Sequence, residues 1–428
     1  TVLRKPKERD PDQVRRYRIE GGEQLDAIGL VKRAGGKPDQ FVPIANIALA
    51  SWIEAATANA AKEMKDVNGA CGEARLGVVD RPDLRIGRVF GFDAEVFLEP
   101  RWLPMLTEAG YVPEGKSRPA IGSATQWGRD HIGPVLKKMR QPFPYVACIV
   151  ADGDHMGDAL GALGNPEHHR RFSSRLSELA KKARKIVEQE HRGSLVYAGG
   201  DDVLAFVCLE DALPCARALQ RAFADVALQA IGAVPEAHGP NTPPLTLSVG
   251  IGVGHIMESM GDLLELGRRA ELHAKNPRSA VEGPERNALA ILIDKRSGGK
   301  IAWRSRWDAA SGNPAERLQV DPLLEPSLSA EKVYEIHDDL RRMPRSDDVT
   351  PGEERGWSDI LAADVTRTLA RAESGSGLTP AEVDLDLDPK RGYASLRARI
   401  QYWIDRMLVA RTFSEARRAS TPRGSKEA

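Results

Sequence analysis

Carboxylates crowd two short stretches of this 428-residue sequence, and their spacing points to a divalent cation. The first stretch runs Ala151, Asp152, Gly153, Asp154, His155, Met156, Gly157, Asp158; the second runs Tyr197, Ala198, Gly199, Gly200, Asp201, Asp202. Adjacent acidic side chains raise one another's pKa unless a cation lies between them, and hard Mg²⁺ or Mn²⁺ favours such oxygen ligands. Asp152, Asp201 and Asp202 are therefore the candidate metal ligands and catalytic residues. Two such ions on a nucleoside triphosphate lower the pKa of an attacking hydroxyl and neutralise departing pyrophosphate, so no side chain need act as a strong base. Beyond Asp152 the small residues let backbone N–H groups approach a triphosphate at the start of a following helix. Gly153, Asp154, His155, Met156 and Gly157, with Gly200 of the second stretch, form the candidate nucleotide-binding set. Taken alone, either stretch is also compatible with an ordinary Asp/Gly turn, and His155 with a residue facing solvent or the adjacent helix. Their pairing, with Asp201 49 residues after Asp152 and a helix between, is the layout of a catalytic palm.

The elements that must position these residues are legible around them. Tyr145 to Val150 is nearly all apolar, as expected of a central strand ending at Asp152. Ser194 to Tyr197 and Val203 to Val207 read as the arms of a hairpin, with Gly199 and Gly200 able to take positive φ in its turn. The expected order is that strand, a long helix from about Pro166 to Glu190, the hairpin, and a helix from Asp211 to Ala230. A strand from Leu245 to Val253, a helix from Gly261 to Lys275 and a last strand from Asn287 to Ile293 follow. Strands interleaved with helices on one face make an α+β, ferredoxin-like antiparallel sheet. The proline-punctuated segment Gly232 to Pro244 reads as an exposed connection. The expected domains are residues 1–140, mixed and mostly helical with an alanine-rich helix from Pro43 to Lys65 and a loop from Gly110 to Ser123; the palm, 141–297; and a helical C-terminal domain, 298–428. In the last, Leu396 to Arg417 has apolar residues at helical spacing.

Ala151 to Gly157, Ala198 to Leu204, Ser248-Val-Gly-Ile251 and Ala274-Lys275 together resemble the catalytic palm of the large subunit of type III CRISPR effector complexes, the Cmr-type branch in particular, whose relatives are the GGDEF cyclases. The segment Gly22 to Arg33 followed by Phe41-Val-Pro-Ile44 is similar to the region preceding the palm in those subunits, so the resemblance covers most of residues 20 to 295. It implies a nucleotidyltransferase that makes cyclic oligoadenylates from ATP once target RNA is bound, in a complex with other effector subunits and a guide CRISPR RNA. It implies that Lys275 and Arg278 contact nucleotide phosphates and that Ser248 lies near the nucleotide; a helix-terminal lysine complementing the helix dipole, or a packed strand serine, is the alternative. A catalytically silent scaffold palm and a GGDEF-like cyclic-dinucleotide cyclase are the competing functions. Gly-Gly-Asp-Asp in place of Gly-Gly-Asp/Glu-Glu-Phe disfavours the second. Complete family members usually place an HD nuclease domain and a first palm ahead of the region at Gly22. Neither is recognisable here: the chain opens on Thr1 with a charged run from Arg4 to Arg18, reads as a portion of a longer polypeptide, and its one His-Asp pair, His337-Asp338, reads as a helix-surface pair.

Composition excludes other classes. With 61 basic and 61 acidic residues the chain is not a polybasic nucleic-acid binder, and runs such as Lys181 to Lys185 read mainly as solvated helix faces. Cysteines at 71, 148, 208 and 215 lack Cys-x-x-Cys spacing, so no structural zinc is expected, although related subunits often carry one; Cys148 and Cys208 read as small buried residues. The longest apolar stretch, Phe41 to Ile53, is too short for a membrane span, and a cytoplasmic protein is expected.

Overall fold

A computed structural model describes residues 42–112, 120–237, 242–296, 299–319, 328–371 and 378–424. The segment Gly22 to Arg33 and Phe41 lie outside these residues. Six strands share one sheet: β1 Tyr145–Asp154, β2 Gly193–Gly199, β3 Asp202–Cys208, β4 Thr246–His255, β5 Ala288–Asp294 and β6 Lys300–Arg306, in the order β2-β3-β1-β4-β5-β6. β1 is central, pairing antiparallel with β3 and β4, as its apolar run requires. β4 and β5 are parallel, which corrects the all-antiparallel expectation. The 16-residue helix between them is long enough for the crossover that parallel strands need, and the sequence pattern does not reveal the resulting strand direction. β6, antiparallel to β5, lies where only helices are expected: three of its seven residues are basic and mask the strand signal.

Helices cover both faces of the sheet rather than one. The N-terminal part contains α1 Ile44–Ala48, α2 Ala50–Asn59, α3 Ala61–Glu73, α4 Trp102–Glu108, α5 Ile121–His131 and α6 Gly133–Lys138. The single helix expected from Pro43 to Lys65 is thus three, broken where Leu49 and Ala60 leave helical geometry. Around the hairpin lie α7 Met156–Gly161, α8 Pro166–Leu176, α9 Glu178–Lys185 with a π turn at Ile186–Glu190, and α10 Leu209–Ala233. The helix expected to run unbroken from Pro166 is interrupted at Ser177, whose hydroxyl donates to the Ser174 carbonyl (2.7 Å) and competes with the helical ladder. α11 Met260–Lys275, α12 Pro314–Gln319, α13 Ala330–Arg342, α14 Glu354–Ala370 and α15 Tyr393–Ala419 complete the order.

Strand alternation divides the burial. Ala147, Ile149 and Ala151 of β1 and Val249, Ile251 and Val253 of β4 share a core with α8 to α10 and α15. Val146, Cys148 and Phe206 on the other face join the core of the N-terminal helices. α11 also lies on that second face, almost in backbone contact with β4. A Cβ on Gly250 would collide with the backbone of Ala270 and Glu271, and one on Gly252 with that of Leu266 and Gly267, so only glycine permits this approach. At the far end of the sheet Arg192 grips Asp211 with two parallel bonds (2.7 and 2.9 Å) and Glu54 of α2 with a third (2.8 Å), tying the N-terminal helices to the palm.

Arg304 of β6, fully buried, forms no ion pair among the described residues. Its guanidinium donates to the carbonyls of Ala274 (2.9 Å), Glu282 (2.7 Å), Pro284 (2.7 Å) and Arg286 (3.2 Å), and so fixes the loop between α11 and β5. Arg304→Ala leaves those acceptors dry and unpaired. Stability should fall by about 3–5 kcal/mol, read by chemical denaturation.

Candidate metal and nucleotide site

β1 delivers Asp152 near its end, and the β2–β3 hairpin delivers Asp201 and Asp202 beside it. The hairpin turn holds two residues, Gly200 and Asp201, because Gly199 pairs with Asp202 in the ladder. Gly200 has φ +65°, while Gly199 sits inside β2. One glycine at positive φ is therefore enough, and the expectation of two is corrected: a turn with positive φ at its first central position satisfies the strand twist. The hairpin tip then docks on β1. A Cβ on Gly153 would lie 2.7 Å from the Asp201 Cβ, 2.9 Å from Met156 Cγ and 3.0 Å from Phe223 Cζ.

Asp152, Asp201 and Asp202 each offer an oxygen, and the three lie within 4.8 Å of one another. Burial, then the neighbouring Asp152 and Asp201, pushes the Asp202 carboxyl up to about 6. Burial first and Asp152 second raise Asp201, against the pull of Lys275. Crowded carboxylates that resist ionisation, all oxygen donors at the mouth of a strand end, fit a hard divalent ion, which removes the repulsion that raises them. The chain's own cation here is Lys275, the last residue of α11, which donates to Asp152 (2.5 Å) and lies 2.8 Å from Glu271. Burial alone would depress the lysine; the hydrogen bond to Asp152 and the ion pair with Glu271 reverse this and raise it.

The remaining candidates divide. His155 takes the left-handed conformation (φ 61°) before α7 and its ring lies 3.2 Å from Asp158. Gly157 is open to solvent, while Met156 is buried against Phe223 and its neighbours in the core. The Asp154 and Ser248 side chains lie on the same sheet face as Asp152 and bond each other. Asp154 is fully buried and accepts from Thr246 (2.7 Å), Ser248 (2.8 Å) and the Asn287 backbone (3.0 Å), with Arg286 at 3.7 Å. It locks β1, β4 and the approach to β5 together. Arg278 is exposed, its backbone N–H bonds Glu282 (2.7 Å), and its charge acts on Asp405 of α15. Sequence reasoning missed Glu271, although its four-residue spacing from Lys275 was a usable signal. It also missed Glu282, which accepts from Arg278 and His273, and Arg304.

With that geometry in hand, comparison with known proteins is informative. Residues 145–290 match the model of the Cas10/Cmr2 second palm domain. This segment is similar to a Cas10/Cmr2 palm. That match covers about a third of the chain. The CRISPR system Cmr subunit Cmr2 of Pyrococcus furiosus is 29% identical over 195 residues, covering 40% of this chain and 21% of that protein. The chain therefore spans about a fifth of the length of that curated relative. Among solved structures, the Csm1–Csm4 cassette in complex with pppApApA aligns with TM-score 0.38 and 16% identity over 64% of this chain and 37% of the other. Csm1 of T. onnurineus aligns with TM-score 0.36 and 15% identity over 65% and 38%. No described helix is long and apolar enough to cross a membrane.

Two outcomes test the geometry of this palm. Gly153→Ala should force the Asp201 hairpin off β1 and weaken Mn²⁺ binding by about tenfold or more, read by calorimetry, at a stability cost of about 1–3 kcal/mol from overpacking. Asp202 carries a folded-state pKa raised from 3.8 to about 6, so its penalty is absent below pH 4, grows between, and is complete above pH 6. Asp202→Asn should therefore raise the melting temperature of the metal-free protein at pH 8, by about 1–2 °C once solvent screening is discounted, and not at pH 4.

Proposed function

We propose that this palm is a metal-dependent nucleotidyltransferase that joins ATP into cyclic oligoadenylates, as part of a type III CRISPR effector large subunit answering to target RNA. The observation that carries the reading is the convergence of Asp152, Asp201 and Asp202 within 4.8 Å, from two neighbouring strand ends. The match of residues 145–290 to the Cas10/Cmr2 palm supports it. Mg²⁺ or Mn²⁺ held by these three carboxylates would supply the charge that lowers the pKa of a ribose hydroxyl and neutralises pyrophosphate. The chain's own part is positioning. The Gly153 contact sets the hairpin against β1, and Asp154 holds β1 to β4 so that Asp152 stays at the strand end. Lys275 supplies a positive charge at the rim, suited to a triphosphate oxygen. Guide RNA, target RNA and the other effector subunits are the partners of the complex in this reading, and a facing half-site for the second ATP comes from another palm.

The assembled complex, given labelled ATP or GTP with Mg²⁺ in the presence and absence of target RNA, tests this directly. RNA-dependent oligoadenylates are the expected product. Absence of any product means a silent scaffold, and RNA-independent cyclic di-GMP means a GGDEF-like cyclase. Asp201→Ala with Asp202→Ala should lower oligoadenylate formation more than about a hundredfold while leaving RNA binding intact, as gel shift and product chromatography would report.

A further inference from the structure

Lys275 sits between two carboxylates that belong to different parts of the machinery. Asp152 is one of the three acidic residues of the centre, whereas Glu271 lies one turn back on α11 and is buried against the glycines of β4. We infer that Lys275 is a built-in counter-cation of the metal-free centre, and that Glu271 is the positioning residue that receives its ammonium when a divalent ion takes Asp152. The inference rests on the proposed function and specifies how that site is loaded.

The reasoning is electrostatic. Three carboxylates whose oxygens lie within 4.8 Å of one another need positive charge even without a metal, and the ammonium 2.5 Å from Asp152 supplies it. That ammonium lies where it competes with any cation for the Asp152 oxygens. Its release costs little only if a second anion stands within the swing of a lysine stem. Glu271 is that anion: it already lies 2.8 Å from the ammonium, at four-residue spacing on the same helix, with its side chain 12% exposed. Its location is not free to drift, because the helix backbone at Ala270 and Glu271 rests on Gly250. The α11 terminus is fixed from the other side by Arg304, which holds the Ala274 carbonyl at 2.9 Å, and by the His273–Glu282 pair at 3.0 Å. Metal entry and the freeing of a phosphate-seeking ammonium are thus one event, so the ion and the triphosphate load in mutual support.

A double-mutant cycle on the full chain tests this, with Mn²⁺ alone as titrant in a calorimeter and no nucleotide present. Lys275→Met removes the competitor and should tighten Mn²⁺ binding about fivefold, the size of one partly exposed ion pair. Glu271→Gln removes the alternative seat, commits the ammonium to Asp152 and should weaken Mn²⁺ binding severalfold. Simple loss of negative charge predicts weakening too, so the double variant decides. If Glu271 acts through Lys275, Glu271→Gln has no effect in the Lys275→Met background. An equal loss in both backgrounds overturns the inference and leaves the proposed function standing. Wild type that takes up no Mn²⁺ at millimolar concentration, matching Asp201→Ala/Asp202→Ala, overturns the proposed function itself. Lys275→Met should also weaken a non-hydrolysable ATP analogue offered with Mn²⁺; unchanged affinity for it counts against the coupling of ion and triphosphate.

Discussion

The near-contact between the α11 backbone and the glycines of β4 is the constraint on which the rest of the site depends. A helix usually stands off a sheet by the length of the side chains between them; here Gly250 and Gly252 remove that layer. The helix then has one allowed lie across the strand, and its last residue, Lys275, ends beside Asp152. A second close contact, Gly153 against the Asp201 Cβ, does the same for the hairpin on the opposite face of β1. Three absent Cβ atoms on two neighbouring strands thus bring a cation and three anions to one strand end, which no set of flexible surface side chains would achieve at comparable entropy.

Much of this was readable in advance. Asp152, Asp201 and Asp202 stood out because acidic residues at the ends of apolar runs have few structural uses, and the strand and hairpin around them follow from period-two burial. What could not be read was the depth of each residue. Asp154 is separated from Asp152 by a single glycine and carries the same chemistry, yet it is fully buried under Thr246, Ser248 and the Asn287 backbone. A buried aspartate served by donors from β4 and a distant loop has the same local sequence as a metal ligand. The donors come from residues more than 90 positions away.

Other departures have equally local causes. β6 was hidden because Lys300, Arg304 and Arg306 break its apolar alternation, and Arg304 is paired only with backbone carbonyls, which leave no trace in side-chain identity. The direction of β5 was hidden because strand pairing depends on the path of α11, not on the composition of either strand. The helix breaks at Leu49, Ala60 and Ser177 fall at residues with no glycine or proline to mark them. Formal neutrality of the whole chain likewise concealed how unevenly charge is distributed, with three aspartates sharing one neighbourhood.

The segment that matches the Cas10/Cmr2 palm ends at residue 290, while Arg304, the anchor of the loop that follows Lys275, lies beyond it. The portion of chain recognisable by descent is therefore smaller than the portion that must fold together to hold the lysine in place. Mutational drift in β6, outside the matched segment, would be felt at the rim of the acidic centre through four carbonyl oxygens, and the C-terminal helices that shelter β6 share in holding Lys275 without touching it.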